Sequence, residues 1–406
     1  MNFENKNIDL FHPYIIVAMV LIFLAVAMPM WYFYGELPAP GFDLYVYIGL
    51  GLIFFILGIL FGNFLINKFL LKKENNSNLS NYLKETYQNL STDSISYFKD
   101  YFKINSLKNP EKLSLFESYS KNELIVVCLV SFGILLQVIN ILHLGGIPLF
   151  SAELKAKAAS KIWLLSYIIF LPSINILIAK YNRKSHYLLL LLGLVLFVLT
   201  GYRTTPIAIL ISAFITLYYT RNIKLKHQIL FVVIIALVLL AVGFIAVQAI
   251  SWQHWHLNPI ELVSYRAAFT LNVLRHAINS QFATRGNLFY STLTGFFTHT
   301  DPRVLVGQAT LARDHSITST IFGPALLDFG WIGMAVQMFL IGIVLKTLHT
   351  IQKYRKEVFT AFYGILLAQT IIWIETGPTD VVVWLFYLIG IILIFYSFKS
   401  SFGGSE

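Results

Sequence analysis

Residues 14–33 read YIIVAMVLIFLAVAMPMWYF, twenty residues without a charge. At about 1.5 Å of helical rise per residue such a run spans about 30 Å, the thickness of a bilayer's hydrocarbon core. The pattern recurs to the far end of the chain. Further apolar runs lie at 44–66, 123–142, 162–179, 187–202, 205–220, 229–250, 317–345, 359–374 and 380–398. The expected fold is therefore all-α: residues 1–406 form one integral membrane domain of about ten transmembrane helices.

Composition agrees. The chain is 57% hydrophobic and 12% charged, with a mean hydropathy of +0.69, whereas soluble domains carry about 25% charged residues. A soluble domain with one anchor is excluded. The single cysteine, Cys128, sits inside a hydrophobic run, which excludes an internal disulfide, a cysteine zinc cluster and a redox pair. The first 13 residues hold Glu4 and Asp9 against Lys6 alone, so no basic signal-peptide start is present and the first span is expected to remain.

Orientation follows from basic residues between spans, which favour the cytoplasmic side. The even-numbered connections carry Lys68 to Lys121, Arg183 and Lys184, then Arg221, Lys224 and Lys226, then Lys346 to Lys356. With Lys6 and Lys399 that side holds 21 of the 30 Lys and Arg residues, and the other holds 9. Both termini are expected in the cytoplasm of a multi-pass plasma-membrane protein. The net charge of +10 is then mainly orientation bias, and nucleic acid is not an expected partner.

Two connections are long. Residues 67–122 are placed inside, where Leu79, Leu83, Tyr87 and Leu90 recur at helical spacing, as in an interfacial helix or a basic linker. Residues 251–316 are placed outside and carry the polar residues of interest. Trp252 and Trp255 suit either an interfacial belt or a platform for sugar rings. His254 and His256 are two apart and cannot share a helix face, so no metal site is expected there. Residues 260–278, IELVSYRAAFTLNVLRHAI, have the apolar spacing of an amphipathic helix. Arg266 and Arg275 lie nine apart on it, so a straight helix does not bring them together.

After residue 200 the outer face carries six arginines and no lysine: Arg203, Arg266, Arg275, Arg285, Arg303 and Arg313. Arginine grips phosphate or carboxylate with a planar two-pronged fork, which lysine lacks. An arginine-only face suggests an anionic ligand, and at a membrane edge a lipid-linked diphosphate is the natural candidate. Arg203 stands in GYRTTP, 19 residues from Lys184 and 18 from Arg221. Those separations are about 28 and 27 Å at the helical rise, which puts Arg203 at the inner rim of the outer headgroup layer. An arginine at that depth is usually functional; the structural alternative is an interface anchor.

The order of motifs resembles a known family. GGIPLF at 145–150, GYRTTP at 201–206, SYRAAFTLNVL at 264–274 and HSITSTIFGPALLDFGWIG at 315–333 are together similar to the Wzy-type O-antigen polymerases, the oligosaccharide repeat-unit polymerases, including an archaeal branch. The resemblance covers residues 145–345. It implies inverting glycosyl transfer on the outer leaflet, moving a growing glycan from one polyprenyl diphosphate to the next lipid-linked unit. It implies no nucleotide sugar, no cofactor and no metal. The partners it implies are the polyprenyl-diphosphate-linked oligosaccharide, membrane lipids, and assembly proteins such as a flippase and a chain-length regulator.

The residues fit that chemistry. Arg203, Arg266, Arg275 and Arg313 are expected to hold the diphosphate leaving group. His315 is the expected general base, with Asp314 orienting it or serving in its place, and His299 and Glu261 in reserve. Arg313, Asp314 and His315 are alternatively a polar cap on the eighth span. Trp252, Trp255, His299 and Glu375 are expected at sugar hydroxyls, though Glu375 and Asp380 in ETGPTD also suit helix capping. Asp328 is expected to be a structural buried acid paired with an arginine, the favoured partner, or with a polar core residue, behind a kink at Gly323-Pro324. GGIPLF ends the third helix, and Ser151 caps SAELKAKA.

Three other functions compete. A lipid-linked oligosaccharide ligase of the same fold differs only in its acceptor. A metal-using dolichol-phosphate-sugar transferase calls for paired acids in the first outer loop, where GELPAPGFD places Glu36 and Asp43 seven apart. A transporter or flippase of lipid-linked glycans calls for polar residues through the spans and for repeat symmetry.

Overall fold

A computed structural model describes residues 9–35, 37–68, 119–221, 258–298 and 300–402, with Leu230 and Val233. Every regular element among them is helical. The α-helices are α1 (Ile15–Tyr32), α2 (Phe42–Ile66), α3 (Lys121–His143), α4 (Ala152–Lys157), α5 (Lys161–Ile176), α6 (Lys184–Val198), α7 (Thr204–Thr220), α8 (Pro259–Asn279), α9 (Asn287–Thr298), α10 (Pro302–Leu311), α11 (Gly323–Tyr354), α12 (Val358–Thr376) and α13 (Val381–Phe402). Among the described residues, seven are long and apolar enough to cross a membrane: α1, α2, α3, α5 with its π-helical extension to Tyr181, α11, α12 and α13. Helices α6 and α7 are shorter apolar helices. Each corresponds to an expected span. The expected span 229–250 apart from Leu230 and Val233, nearly all of the 67–122 connection, Trp252, Trp255 and His299 lie outside the described residues.

Local chemistry sets the helix starts. Ser120, Ser151 and Ser160 each accept a hydrogen bond from the backbone of the first turn that follows, at Glu123, Leu154 and both Ile162 and Trp163. Such caps satisfy amides that have no partner inside the helix. The GGIPLF segment leaves α3 through a short 3-10 turn at Pro148–Phe150, as its sequence predicts.

Helix α12 is the central post. In α12 78% of the apolar window is buried, against 28% in α3. It packs against α1, α5, α7, α11 and α13. Helix α11 lies along α2 at very short range: a Cβ on Gly58 would run into the Phe339 carbonyl, and one on Gly342 into the Phe55 carbonyl. Small residues permit this approach, which is how helices gain contact where lipid offers no hydrophobic contrast. At the starting end of α12, Asp9 ties the N-terminal segment down. It accepts from Tyr219 at 2.6 Å and meets His349 and Lys353 at 2.9 Å each. Burial acts to raise the Asp9 carboxyl, but these hydrogen bonds outweigh it and hold it well below the usual carboxylate range.

Two expectations about the eighth span are corrected. The helix begins at Gly323 rather than 317, and Pro324 sits in its first turn instead of kinking it. The missing proline N–H costs nothing there. The break lies further on, at Gly330, whose φ of 64° and ψ of −163° are not helical. Residues 313–315 therefore do not cap this helix. Asp328 is buried, and of the two expected partners it has the polar core residue, Thr284, rather than an arginine. It accepts from Thr284 Oγ1 at 2.6 Å, Leu288 N at 3.1 Å and Phe289 N at 2.6 Å. The carboxylate thus sits at the positive end of α9 and fixes that helix against α11.

Asp328→Ala should lower stability on the order of 3 kcal/mol, because buried amides at the start of α9 lose their acceptor. Thermal unfolding of purified protein checks this, and Asp328→Asn, which keeps one acceptor oxygen, should fall between.

Candidate functional site

The chain leaves α12 through Gly377, at φ 74°, whose N–H returns to the Trp373 carbonyl. Only glycine fits, since a Cβ would stand 2.7 Å from the Ser319 carbonyl oxygen. This turn presents Glu375 on one side and Asp380 on the other. Glu375 lies in the last turn of α12, where an anion faces the helix's negative end. Arg203 is the N-cap of α7, where a cation faces a positive end. The two misplaced charges meet: Arg203 Nη2 lies 3.6 Å from Glu375 Oε1. Arg266, on α8, donates from Nε to the same oxygen at 3.1 Å and from Nη2 to Thr318 Oγ1 at 3.1 Å.

Lys155 of α4 is close to this pair. Burial, then the charges of Arg203 and Arg266, lower its pKa. Burial also lowers that of Arg203, with Glu375 opposing. Three cations against one carboxylate leave two positive charges. The Tyr202 hydroxyl donates to the Lys155 carbonyl at 3.0 Å and locks α4 to the turn that carries Arg203.

Next to the cluster, through Tyr202 and Thr204, lies a cavity of about 770 Å³ with a mixed lining, the more polar of two such spaces, which includes Tyr202, Asp301, Arg303, Trp373, Thr379 and Asp380. Asp301 caps α10 and grips Arg303 with two bonds, Nε at 3.0 Å and Nη2 at 3.2 Å. Burial acts to raise Asp301, but the Arg303 charge and hydrogen bonds from Arg303 and Ser316 lower it overall. Asp380 differs. Its carboxyl meets solvent through the cavity yet is surrounded by protein; burial raises its pKa, Arg303 opposes, and Asp301 adds to the rise. A second, apolar groove of about 880 Å³ runs between α9, α11 and α13, lined by Phe289, Phe329, Ile332, Leu340, Trp384 and Leu388 among others. Thr292 and Val381 line both spaces, so the polar cavity and the apolar groove adjoin.

Of the expected site residues, the structure brings Arg203, Arg266 and Glu375 into contact. Arg275, on the same unbroken α8 as Arg266, forms no ion pair with any described residue. Arg313, Asp314 and His315 are exposed beyond α10, where Asp314 accepts from Gln308 at 2.8 Å. Glu261 caps the start of α8 through Asn258 N at 2.9 Å. The sequence reading did not single out Lys155, Tyr202, the Asp301–Arg303 pair or Trp373. One signal was available for the pair: DPR places an acid before a helix-starting proline, the pattern of an N-cap.

A bundle of apolar helices with a cationic cluster and a polar cavity, joined to an apolar groove, defines a multi-pass membrane protein. The family comparison is more specific. Residues 9–387 match the model described as "Putative O-antigen polymerase", and the chain belongs to that family. Two uncharacterized proteins of Methanocaldococcus jannaschii are similar. One is 31% identical over 275 residues, which is 68% of this chain and 66%, just under two thirds, of the relative. The other is 26% identical over 282 residues, 66% of this chain and 77% of the relative. No solved structure matches.

Because Arg203 and Arg266 share one carboxylate, their losses should not add. Thermal unfolding of Arg203→Ala, Arg266→Ala and the double variant should show a coupling of about 0.5–3 kcal/mol, the range for residues in one charge network. Simple additivity would mean that the two arginines do not depend on Glu375 jointly.

Proposed function

We propose that the protein polymerises polyprenyl-diphosphate-linked oligosaccharide units by inverting glycosyl transfer at the outer face of the plasma membrane. The observation that carries this is the adjoining pair of spaces, one polar and one apolar, with the cluster of Arg203, Arg266 and Lys155 meeting the polar one through Tyr202 and Thr204, the neighbours of Arg203. A lipid-linked glycan has the same division: a hydrocarbon tail, a diphosphate and a sugar chain. The tail fits the groove between α9, α11 and α13. The cluster's two surplus positive charges suit a diphosphate, whose negative charge grows as the glycosyl bond breaks. Arginine supplies paired donors to that group without changing protonation.

No metal is assigned to the reaction. The arginines and Lys155 supply the positive charge that a divalent cation would otherwise bring to the leaving group. His315 with Asp314 is one place for the acceptor's proton, on the exposed segment after α10. Transfer to a different acceptor, as in a ligase, uses the same site and is separated by the product alone. A glycan transporter would use the groove without chemistry.

Reconstitution with lipid-linked repeat units should yield a ladder of longer products on a gel. Arg203→Lys keeps the charge but loses the fork, so its elongation should fall at least tenfold while the protein still inserts; chelator should leave the parent rate unchanged. Normal elongation by Arg203→Lys would reduce Arg203 to an anchor, and a single transfer without a ladder would favour the ligase.

The orientation has its own check. On a Cys128-free background, a cysteine at Asn287 should react from outside intact cells with a membrane-impermeant thiol reagent, and one at Ser185 should not. The reverse pattern would place the cluster in the cytoplasm and remove the proposed reaction.

A further inference from the structure

The polar cavity contains groups that a diphosphate clamp does not use. Asp301 is fully committed to Arg303, to the start of α10 and to Ser316. The Asp380 side chain, by contrast, has no hydrogen-bond donor among the described residues, and Arg303 is the cation that acts on it. Next to it in sequence, the Thr379 hydroxyl is buried without a partner, with the residue 4% exposed. The Trp373 indole N–H is also buried without a partner, with the residue 1% exposed. Both residues line the cavity. A buried donor or acceptor left unmade costs about 1–3 kcal/mol, and such groups in a native structure call for an explanation such as a ligand. Trp163 and Tyr167, stacked at 5.8 Å and 14°, add aromatic surface to the same lining. An open carboxylate, two idle donors and a flat aromatic wall match a sugar ring, with hydroxyls at its rim and an apolar C–H face.

We propose that the acceptor sugar occupies this cavity and that Asp380 is the base that takes the proton from its attacking hydroxyl. This rests on the polymerase reading above. The acceptor oxygen attacks the donor's anomeric carbon. The bond from that carbon to the diphosphate oxygen breaks, and its electron pair leaves on the diphosphate, beside Arg203, Arg266 and Lys155. The hydroxyl proton passes to the Asp380 carboxylate and then to solvent. Tyr202 joins the two ends: its hydroxyl holds the Lys155 carbonyl, its neighbour is Arg203, and its own side faces the cavity. His315 is exposed and is not among the residues that line this space.

The pH dependence has a definite sign. Asp380 must be ionised to accept a proton, so activity is present above its pKa and lost as pH falls through it. Burial and Asp301 move that point above the ordinary carboxylate value, with Arg303 opposing. Tyr202 and Tyr167 also face Asp380, and Lys161 and His143 line the same cavity.

The test is elongation of lipid-linked units against pH, run beside binding of a polyprenyl diphosphate and thermal unfolding. Asp380→Asn should cut turnover about 10²–10⁴-fold, the usual contribution of a general base, with diphosphate binding and melting temperature at the parent level. Asp380→Glu should keep activity and shift its acid limb. Thr379→Val, which removes an idle donor, should raise the acceptor KM several-fold with kcat little changed, and it decides the matter if Asp380→Asn fails to fold. Elongation by Asp380→Asn near the parent rate, or an unchanged KM in Thr379→Val, overturns the proposal. An acid limb that vanishes in His315→Ala but does not move in Asp380→Glu assigns the base to His315 and overturns it too. A parent protein that elongates nothing overturns the polymerase reading itself, and this one with it.

Discussion

Glu375 is the charge on which the site's geometry depends. It stands at the wrong end of its own helix, and Arg203 at the wrong end of another. Each would be unfavourable alone, and each offsets the other. Arg266 joins through the same oxygen, so one carboxylate ties the end of α12, the start of α7 and the middle of α8. Exposed ion pairs contribute little to stability. This cluster is about one-third exposed at each partner. Its consequence is therefore positional: it holds two forked cations side by side where like charges would otherwise separate them.

The rest of the fold supplies a rigid frame for that arrangement. α12 is walled in by five helices, so its last turn cannot drift. Asp328 anchors α9 by its first amides, and α9 forms one wall of both the polar cavity and the apolar groove. The division between polar and apolar space thus follows from which helix faces meet there. At its other end α12 is held by the N-terminal segment, through Tyr363 and the Phe11 carbonyl.

Much of the fold was legible from hydropathy, because runs such as 14–33 admit little besides a membrane helix. The start of α11 was not, because IFGP continues the apolar run while Ser319 and Thr320 before it are buried in a non-helical segment. Its distances to Lys184 and Arg221 singled out Arg203 as a candidate, and the structure sets it against Glu375. That partner was not legible: Glu375 is 172 residues away, and nothing in ETGPTD names the cations that meet it. A helix-terminal acid in an apolar chain is nonetheless a local conflict of the kind that marks functional sites. The Asp301–Arg303–Asp380 grouping was beyond sequence for the same reason, since α10 and the α12–α13 turn meet only through tertiary packing.

The most direct measurement of the central claim is equilibrium binding of a polyprenyl diphosphate and of the matching uncharged polyprenol to detergent-solubilised parent protein and Arg203→Ala. The parent should bind the diphosphate more tightly than the polyprenol, and Arg203→Ala should lose that preference while holding the polyprenol equally well. Equal binding of the two lipids by the parent, or an undiminished preference in Arg203→Ala, would contradict that claim.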